Sequence, residues 1–234
     1  MSASCLDLLD HLHGSVSVVG SMNVDYTVVT ERLPEPGETV NGGPLTLLPG
    51  GKSANQASAA ARIGAQVRMF GAVGEDANAD FLLEHLRDAG VDTSHIAAVA
   101  GPSGTTVITV DANGENTIVY SAGSNGEVSV DYVRQSSDAL VAADVLGLCL
   151  ESPMETVTAC ARLCHDAGLK VLLNDSPFVA ELPAELIELR TFCWSMNMKW
   201  HSCWTSPSLT MTIGMDWTGL MWRGRCMTSA LIRR

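Results

Sequence analysis

Over the first 190 residues, short runs of β-branched and apolar residues alternate with helical stretches that stop on glycine. Strands joined through helices form a largely parallel sheet covered on both faces, so this alternation limits the chain to an α/β fold. Val16-Ser17-Val18-Val19 reads as a short apolar strand ending at Gly20, and residues 26–30 read as a second. Residues 53–63, rich in small side chains, predict a helix closed by Gly64 as its C-terminal cap. Residues 67–73 return as a strand. Asp76 then caps a helix carrying Phe81, Leu82, Leu86 and Ala89 on one stripe, stopped by Gly90. Residues 105–110 and 117–120 flank Asn113-Gly114, a strong hairpin signal and a small antiparallel addition to the sheet. Residues 145–149 form a strand, 154–167 a helix ending at Gly168, and 169–173 the next strand. Residues 15–190 are thus expected to form one α/β portion. Residues 1–14, with Leu6, Leu8, Leu9 and Leu12, are expected to be an N-terminal extension.

Composition removes several function classes. No run approaches the roughly 18 apolar residues that a membrane span requires. The formal net charge of −12 disfavours a phosphate backbone as partner, so no nucleic acid is expected. The first fifteen residues carry Asp7 and Asp10 but no Lys or Arg, unlike a secretory signal. Seven cysteines without regular spacing fit reduced thiols, and the expected location is cytoplasmic.

The composition breaks near residue 190. Nine basic and 25 acidic side chains precede that point, whereas five basic residues and the single acid Asp216 follow it. All five tryptophans and six of the ten methionines fall in the last 44 positions, with no heptad or strand alternation to organise them. Phe192 to Trp200 is built largely from residues with one or two codons. Reading those codons two nucleotides later, with a TCN codon for Ser195, gives Leu-Leu-Val, then Asn, Asp, His or Tyr. Glu, His or Tyr, Glu, Met or Val, and Ala follow. That is a buried-strand run followed by a polar, acidic turn, as an α/β protein would place there. Residues 191–234 are therefore expected to be a frameshifted tail rather than a domain, with the slip close to Arg190; a natural tail of odd composition is the alternative. A sheet cut after about five parallel strands would keep an unpaired edge and be poorly soluble.

Two segments at strand ends carry candidate chemistry. Gly20-Ser21-Met22-Asn23-Val24-Asp25 follows the first strand, where ligands of parallel sheets bind. A carboxylate accepts two hydroxyl hydrogen bonds at once, which suits a sugar diol; an Asx-type turn fits the same hexapeptide. Gly50-Gly51-Lys52-Ser53-Ala54-Asn55-Gln56 precedes a helix, where glycines admit a ligand to the backbone and the N-terminus presents free N–H groups. Lys52 adds a cation and Asn55 a donor–acceptor pair. The Walker A spacing is absent, and an ordinary loop is the alternative.

Seven motifs in order make the chain resemble the ribokinase-like (PfkB) carbohydrate kinases from about residue 14 to 190. They are G-S-M-N-V-D, L-P-x-P-G-E-T from Leu33 to Thr39, and G-G-K-S-A-N-Q with Gly64 and Gly74 behind it. V-G-E-D at Val73–Asp76, the hairpin with Ser121-Ala122-Gly123-Ser124-Asn125, L-E-S-P at Leu150–Pro153 and N-D-S-P at Asn174–Pro177 complete the set. The resemblance implies a three-layer α/β sandwich with a small β-sheet lid, a homodimer formed through the lid strands, and transfer of the ATP γ-phosphoryl group to O5 of D-ribose. ATP, Mg2+ and a monovalent cation such as K+ are the implied cofactors. Carried over residue by residue, Asn23, Asp25, Gly51, Lys52, Asn55 and Glu151 would hold the sugar, residues 105–120 would supply lid strands that exclude water, and Asn174 would lie near the phosphates. Ser53 stands where the family usually has glycine, and its hydroxymethyl group is expected to crowd the turn.

The resemblance also implies what is missing. The Asn-x-x-Glu motif that supports the magnesium–phosphate site matches the shifted reading, whereas Ser195-Met196-Asn197-Met198 occupies those positions here. No Gly-Ala-Gly-Asp, the family's anion hole and proton acceptor, occurs after residue 190. The chain therefore lacks a catalytic residue and a nucleotide site, and it is expected not to turn over. Two functions remain: a sugar kinase read through a frameshift, or a non-catalytic sugar-binding fragment. A kinase of another sugar or nucleoside is a further alternative. Cys160 and Cys164 read as buried helix cysteines rather than, with His165, a metal site, and Cys193, His201 and Cys203 lie in the expected tail and weigh still less as ligands.

Overall fold

The computed structural model describes residues 14–194. In chain order, β1 (Ser15–Val19), β2 (Asn23–Val29) and β3 (Thr46–Gly50) lead to α1 (Lys52–Arg62). β4 (Gln66–Val73), α2 (Ala77–Asp88), β5 (Asp92–Ala98), β6 (Gly104–Val110) and β7 (Asn116–Ser121) follow. A 3₁₀ turn at Gly123–Glu127 then precedes α3 (Val130–Gln135), α4 (Ser137–Val141) and β8 (Val145–Leu148). α5 (Met154–Asp166), β9 (Lys170–Asn174), α6 (Ala184–Leu189) and β10 (Phe192–Trp194) complete the described chain. The N-terminal extension and the tail beyond residue 194 lie outside the described residues.

The strands make two sheets. The larger has the order β10-β9-β8-β1-β4-β5 with every neighbouring pair parallel, the α/β arrangement that the alternation predicts. The smaller has the order β3-β2-β6-β7, with a parallel β2–β6 pair between two antiparallel ones. The expected two-stranded hairpin is thus half of a four-stranded mixed sheet. β2 starts at Asn23, so Asn23 and Asp25 belong to a strand and not to an Asx turn. β10 pairs with β9 and carries the large sheet three residues past Thr191, giving six parallel strands instead of about five.

Apolar packing explains the layering. One core cluster joins Val18, Val67 and Met69 of β1 and β4 to Ala54 and Ala57 of α1 and to Leu82 and Leu86 of α2. The alanines let α1 approach the sheet closely. The other cluster joins Leu146 and Leu148 of β8 and Val171 and Leu173 of β9 to Val157, Cys160, Ala161 and Cys164 of α5. Burial pushes the Cys164 thiol up to about 11 and raises Cys160 as well, so both sit in that core as uncharged thiols. Gly64, Gly90 and Gly168 take positive φ where the helices stop. No helix among the described residues is long and apolar enough to cross a membrane.

Candidate functional site

The site forms where the β1–β2 turn, the start of α1 and the segment after β8 meet. Gly51 begins α1 at φ +93°, and a Cβ there would lie 2.7 Å from the Ser21 carbonyl oxygen, 2.8 Å from Met22 Cα and 2.9 Å from the Asn23 nitrogen. Only glycine lets the helix start sit flush on the turn. The Ala54 N–H donates to the Ser21 carbonyl oxygen at 3.1 Å, fixing that contact.

Glu151, just past β8, is the acidic centre of this junction. Its Oε1 accepts from Lys52 Nζ at 2.7 Å, and the side chain is only 6% exposed. Its Oε2 accepts from the Lys52 N–H at 3.1 Å and from the Ser21 hydroxyl. A carboxylate at a helix N-terminus is favoured by the dipole. The first-turn N–H of α1, expected to be free for a ligand, is thus partly satisfied by Glu151. Tyr120, on β7, donates its hydroxyl to the Glu151 carbonyl oxygen at 3.2 Å. Burial, with the Glu151 carboxylate beside it, pushes that phenol up to about 12.

Asp25 sits on the neighbouring face of the small sheet. Its carboxylate accepts from the Thr106 hydroxyl and occupies the space a Cβ on Gly50 would need. Burial raises its pKa above the usual carboxylate range; the Thr106 hydrogen bond and Lys52 pull the other way, and Glu151 adds to the rise. Asn23 is buried beside it, in register with Gly50 on β3 and Gly104 on β6. Asn125, from the 3₁₀ turn, accepts from the Met22 N–H at 2.9 Å through Oδ1. Its Nδ2 donates to the Met22 carbonyl oxygen at 3.2 Å and to Asn23 Oδ1 at 2.7 Å.

Of the six residues singled out from the sequence, Gly51, Lys52 and Glu151 meet directly, and Asp25 is close enough to feel both charges. Asn23 joins them through the turn. Asn55 is exposed on the first turn of α1 and makes none of these contacts. Ser53 does not crowd the helix start as expected. Its hydroxyl turns inward, donates to the Val19 carbonyl oxygen at 3.2 Å and lies 2.8 Å from Cys149 Sγ, in room left by the missing Cβ of Gly20. The sequence gives Ser21 and Asn125 no individual role and gives Thr106 and Tyr120 only a place in the lid strands. Their motifs were visible, but no local pattern announces partners so distant in the chain.

The group can bind a polyhydroxyl ligand, with Lys52 and Asn23 offering donors and Asp25 and Glu151 offering acceptors. It does not fit a divalent cation. Among the described residues, no group of three or more His, Cys, Asp or Glu is arranged to hold a metal.

The ribokinase of Bacillus subtilis (strain 168) is 35% identical over 178 residues, which cover 76% of this chain and 60% of that protein. The deoxyribokinase of Salmonella typhi is 34% identical over 168 residues, covering 71% of this chain and 55% of that one. The structure of Arabidopsis thaliana ribokinase complexed with ribose and ATP aligns with a TM-score of 0.69 at 29% identity, covering 79% of this chain and 60% of that one. The chain thus spans about 60% of the length of the first of these relatives. The family model described as pfkB family carbohydrate kinase matches residues 14–192. The chain belongs to the pfkB family of carbohydrate kinases.

Proposed function

We propose that this chain is the sugar-holding portion of a cytoplasmic, ATP-dependent pentose kinase whose ligand is D-ribose and whose phosphoryl acceptor is the sugar's O5. The observation that carries this reading is the junction of Asp25 with the Lys52–Glu151 pair at the strand ends. Asn23, Asp25, Gly51, Lys52, Asn55 and Glu151 hold the sugar, and the small sheet closes over it. In the complete kinase, Mg2+ and a monovalent cation such as K+ accompany ATP.

The 234-residue chain does not itself turn over. Its sequence after residue 190 contains neither Asn-x-x-Glu nor Gly-Ala-Gly-Asp, and the shifted reading of codons 192–201 restores an acidic turn of the first kind. Phosphoryl transfer rests on positioning and charge stabilisation, and each lost element removes on the order of several kcal/mol of it. Residues 191–234 are a frameshifted tail, and residues 15–190 are the portion that carries function. A second reading, a kinase of a deoxysugar, draws on the deoxyribokinase relative.

Calorimetry and thermal melts on the full chain test the proposal. D-ribose is expected to bind and raise Tm, Mg·ATP to leave it unchanged, and a coupled kinase assay to read no product. Turnover on D-ribose at the ~1–100 s⁻¹ of ordinary kinases would overturn the inactivity claim. Tighter binding of 2-deoxyribose than of ribose would favour the second reading. Resequencing the gene across codons 185–195 tests the frameshift directly.

A further inference from the structure

We propose that Asn125 is a positioning residue: it holds the Asn23 side-chain amide with its nitrogen toward the ligand, so that Asn23 donates to a sugar oxygen while Asp25 accepts from a sugar hydroxyl. The inference rests on the sugar-binding reading above. A backbone N–H can only donate, so the Asn125 atom 2.9 Å from the Met22 nitrogen is oxygen. The other end of that amide is therefore nitrogen; it faces the Met22 carbonyl oxygen and one end of the Asn23 amide, and the Tyr120 hydroxyl also lies within reach of the Asn125 side chain. A nitrogen donor requires an oxygen acceptor, which fixes Asn23 Oδ1 toward Asn125 and Asn23 Nδ2 away from it.

The pair is enclosed by the fold. Asn125 is fully buried and Asn23 nearly so. Their amides meet over Gly104, whose Cα has no room for a Cβ because Asn125 Nδ2 and Asn23 Oδ1 occupy that space. Two residues further along β2, and so on the same face, Asp25 is an acceptor whose carboxylate is steadied by Thr106 on β6. One donor and one acceptor thus stand side by side, with their polarity set by second residues that need not touch the sugar. A hydroxyl pair can satisfy both at once, and a ligand offering only acceptors or only donors cannot.

The orientation is tested on the full chain without ligand by side-chain amide NMR, with Asn23 and Asn125 resonances assigned from N23A and N125S. The Asn125 amide protons are expected to exchange more slowly than those of Asn23. The reverse order overturns the inference whether or not ribose binds. Calorimetry with D-ribose then compares wild type, N125D, N23A and the double variant. N125D is expected to weaken ribose binding about tenfold or more, yet by less than twofold once Asn23 is already alanine. An equal loss in both backgrounds marks a purely structural role and overturns the inference, as does no loss in the wild type. If N125D does not fold, ribose titration of the unmutated chain decides: a shift of the Asn23 side-chain amide supports the inference, and an unmoved amide at saturation overturns it. Failure of the wild type to bind ribose, with the expected exchange order intact, sinks the functional reading and leaves the amide orientation standing.

Discussion

Asp25 carries a conflict between fold and function that a single substitution exposes. Its carboxylate is half-buried on β2 and titrates above its ordinary value, chiefly because burial penalises the charge. A raised carboxylate pKa means that the charged form costs stability at pH above the folded pKa, and that the cost is relieved as pH falls through it. Asp25→Asn keeps an oxygen for the Thr106 hydroxyl and removes the charge, so it is expected to raise Tm at pH 7. On the proposed sugar-binding reading the same change removes a charged acceptor for a hydroxyl, worth about 1.5–3 kcal/mol, or roughly ten- to a hundredfold in ribose affinity. Calorimetry and a melt on one variant check both signs, and wild-type affinity should weaken on acidification through the elevated pKa. The sequence discloses Asp25, Asn23, Lys52 and Glu151 because each stands in a short motif. It conceals what holds them: Thr106 lies 81 positions from Asp25, Asn125 lies 102 from Asn23, and Ser21 lies 130 from Glu151.

At the scale of elements, the boundary between β4 and α2 shows how one side chain serves two structures. Asp76 caps α2 by accepting from the Ala79 N–H at 3.0 Å, as its position before the helix predicts. It also accepts from the Ser103 N–H at 2.9 Å and the Ser103 hydroxyl at 2.6 Å, tying the approach to β6 onto the large sheet. Although burial pushes the other way, these hydrogen bonds hold its carboxyl below the ordinary 3.8. Asp76→Ala is expected to cost about 1–2 kcal/mol, read as a lower urea midpoint at pH 7. Because the folded pKa is depressed, that increment is present above pH 3.8 and disappears as pH falls through the folded value, so wild type and variant should converge in acid. α1, α2 and α5 are legible because caps and glycine stops are local chemistry, whereas α3, α4 and α6, five or six residues each, are too short to show a stripe. β3 and β5 are not legible either, since both are edge strands: β3 is largely exposed and contains Pro49, and β5 alternates weakly from Asp92 to Ala98.

The order of strands in the whole molecule is a long-range property. β1 lies between β4 and β8, and β2 leaves the large sheet to pair with β6, neither of which a local pattern reveals. The consequence is a small mixed sheet with apolar side chains on both faces. Register places Leu48, Ile118 and Tyr120 on the face of Asp25, and Leu47, Val107 and Val119 on the opposite one. All six are exposed, Val119 most of all at 69%. Exposed apolar side chains on a sheet face mark an interaction site, and a face that on the proposed reading shelters a sugar gains from being covered. We therefore expect the chain to self-associate through the lid, with charge on either face opposing it. Sedimentation should find a dimer for the wild type and a monomer for the I118D/V119D double variant. Asp25, Lys52 and Glu151 are untouched by that change, so ribose should still bind to the monomer, with lower affinity wherever lid closure depends on the second copy. A wild-type monomer at micromolar concentration would remove the small sheet from any interface and overturn this expectation.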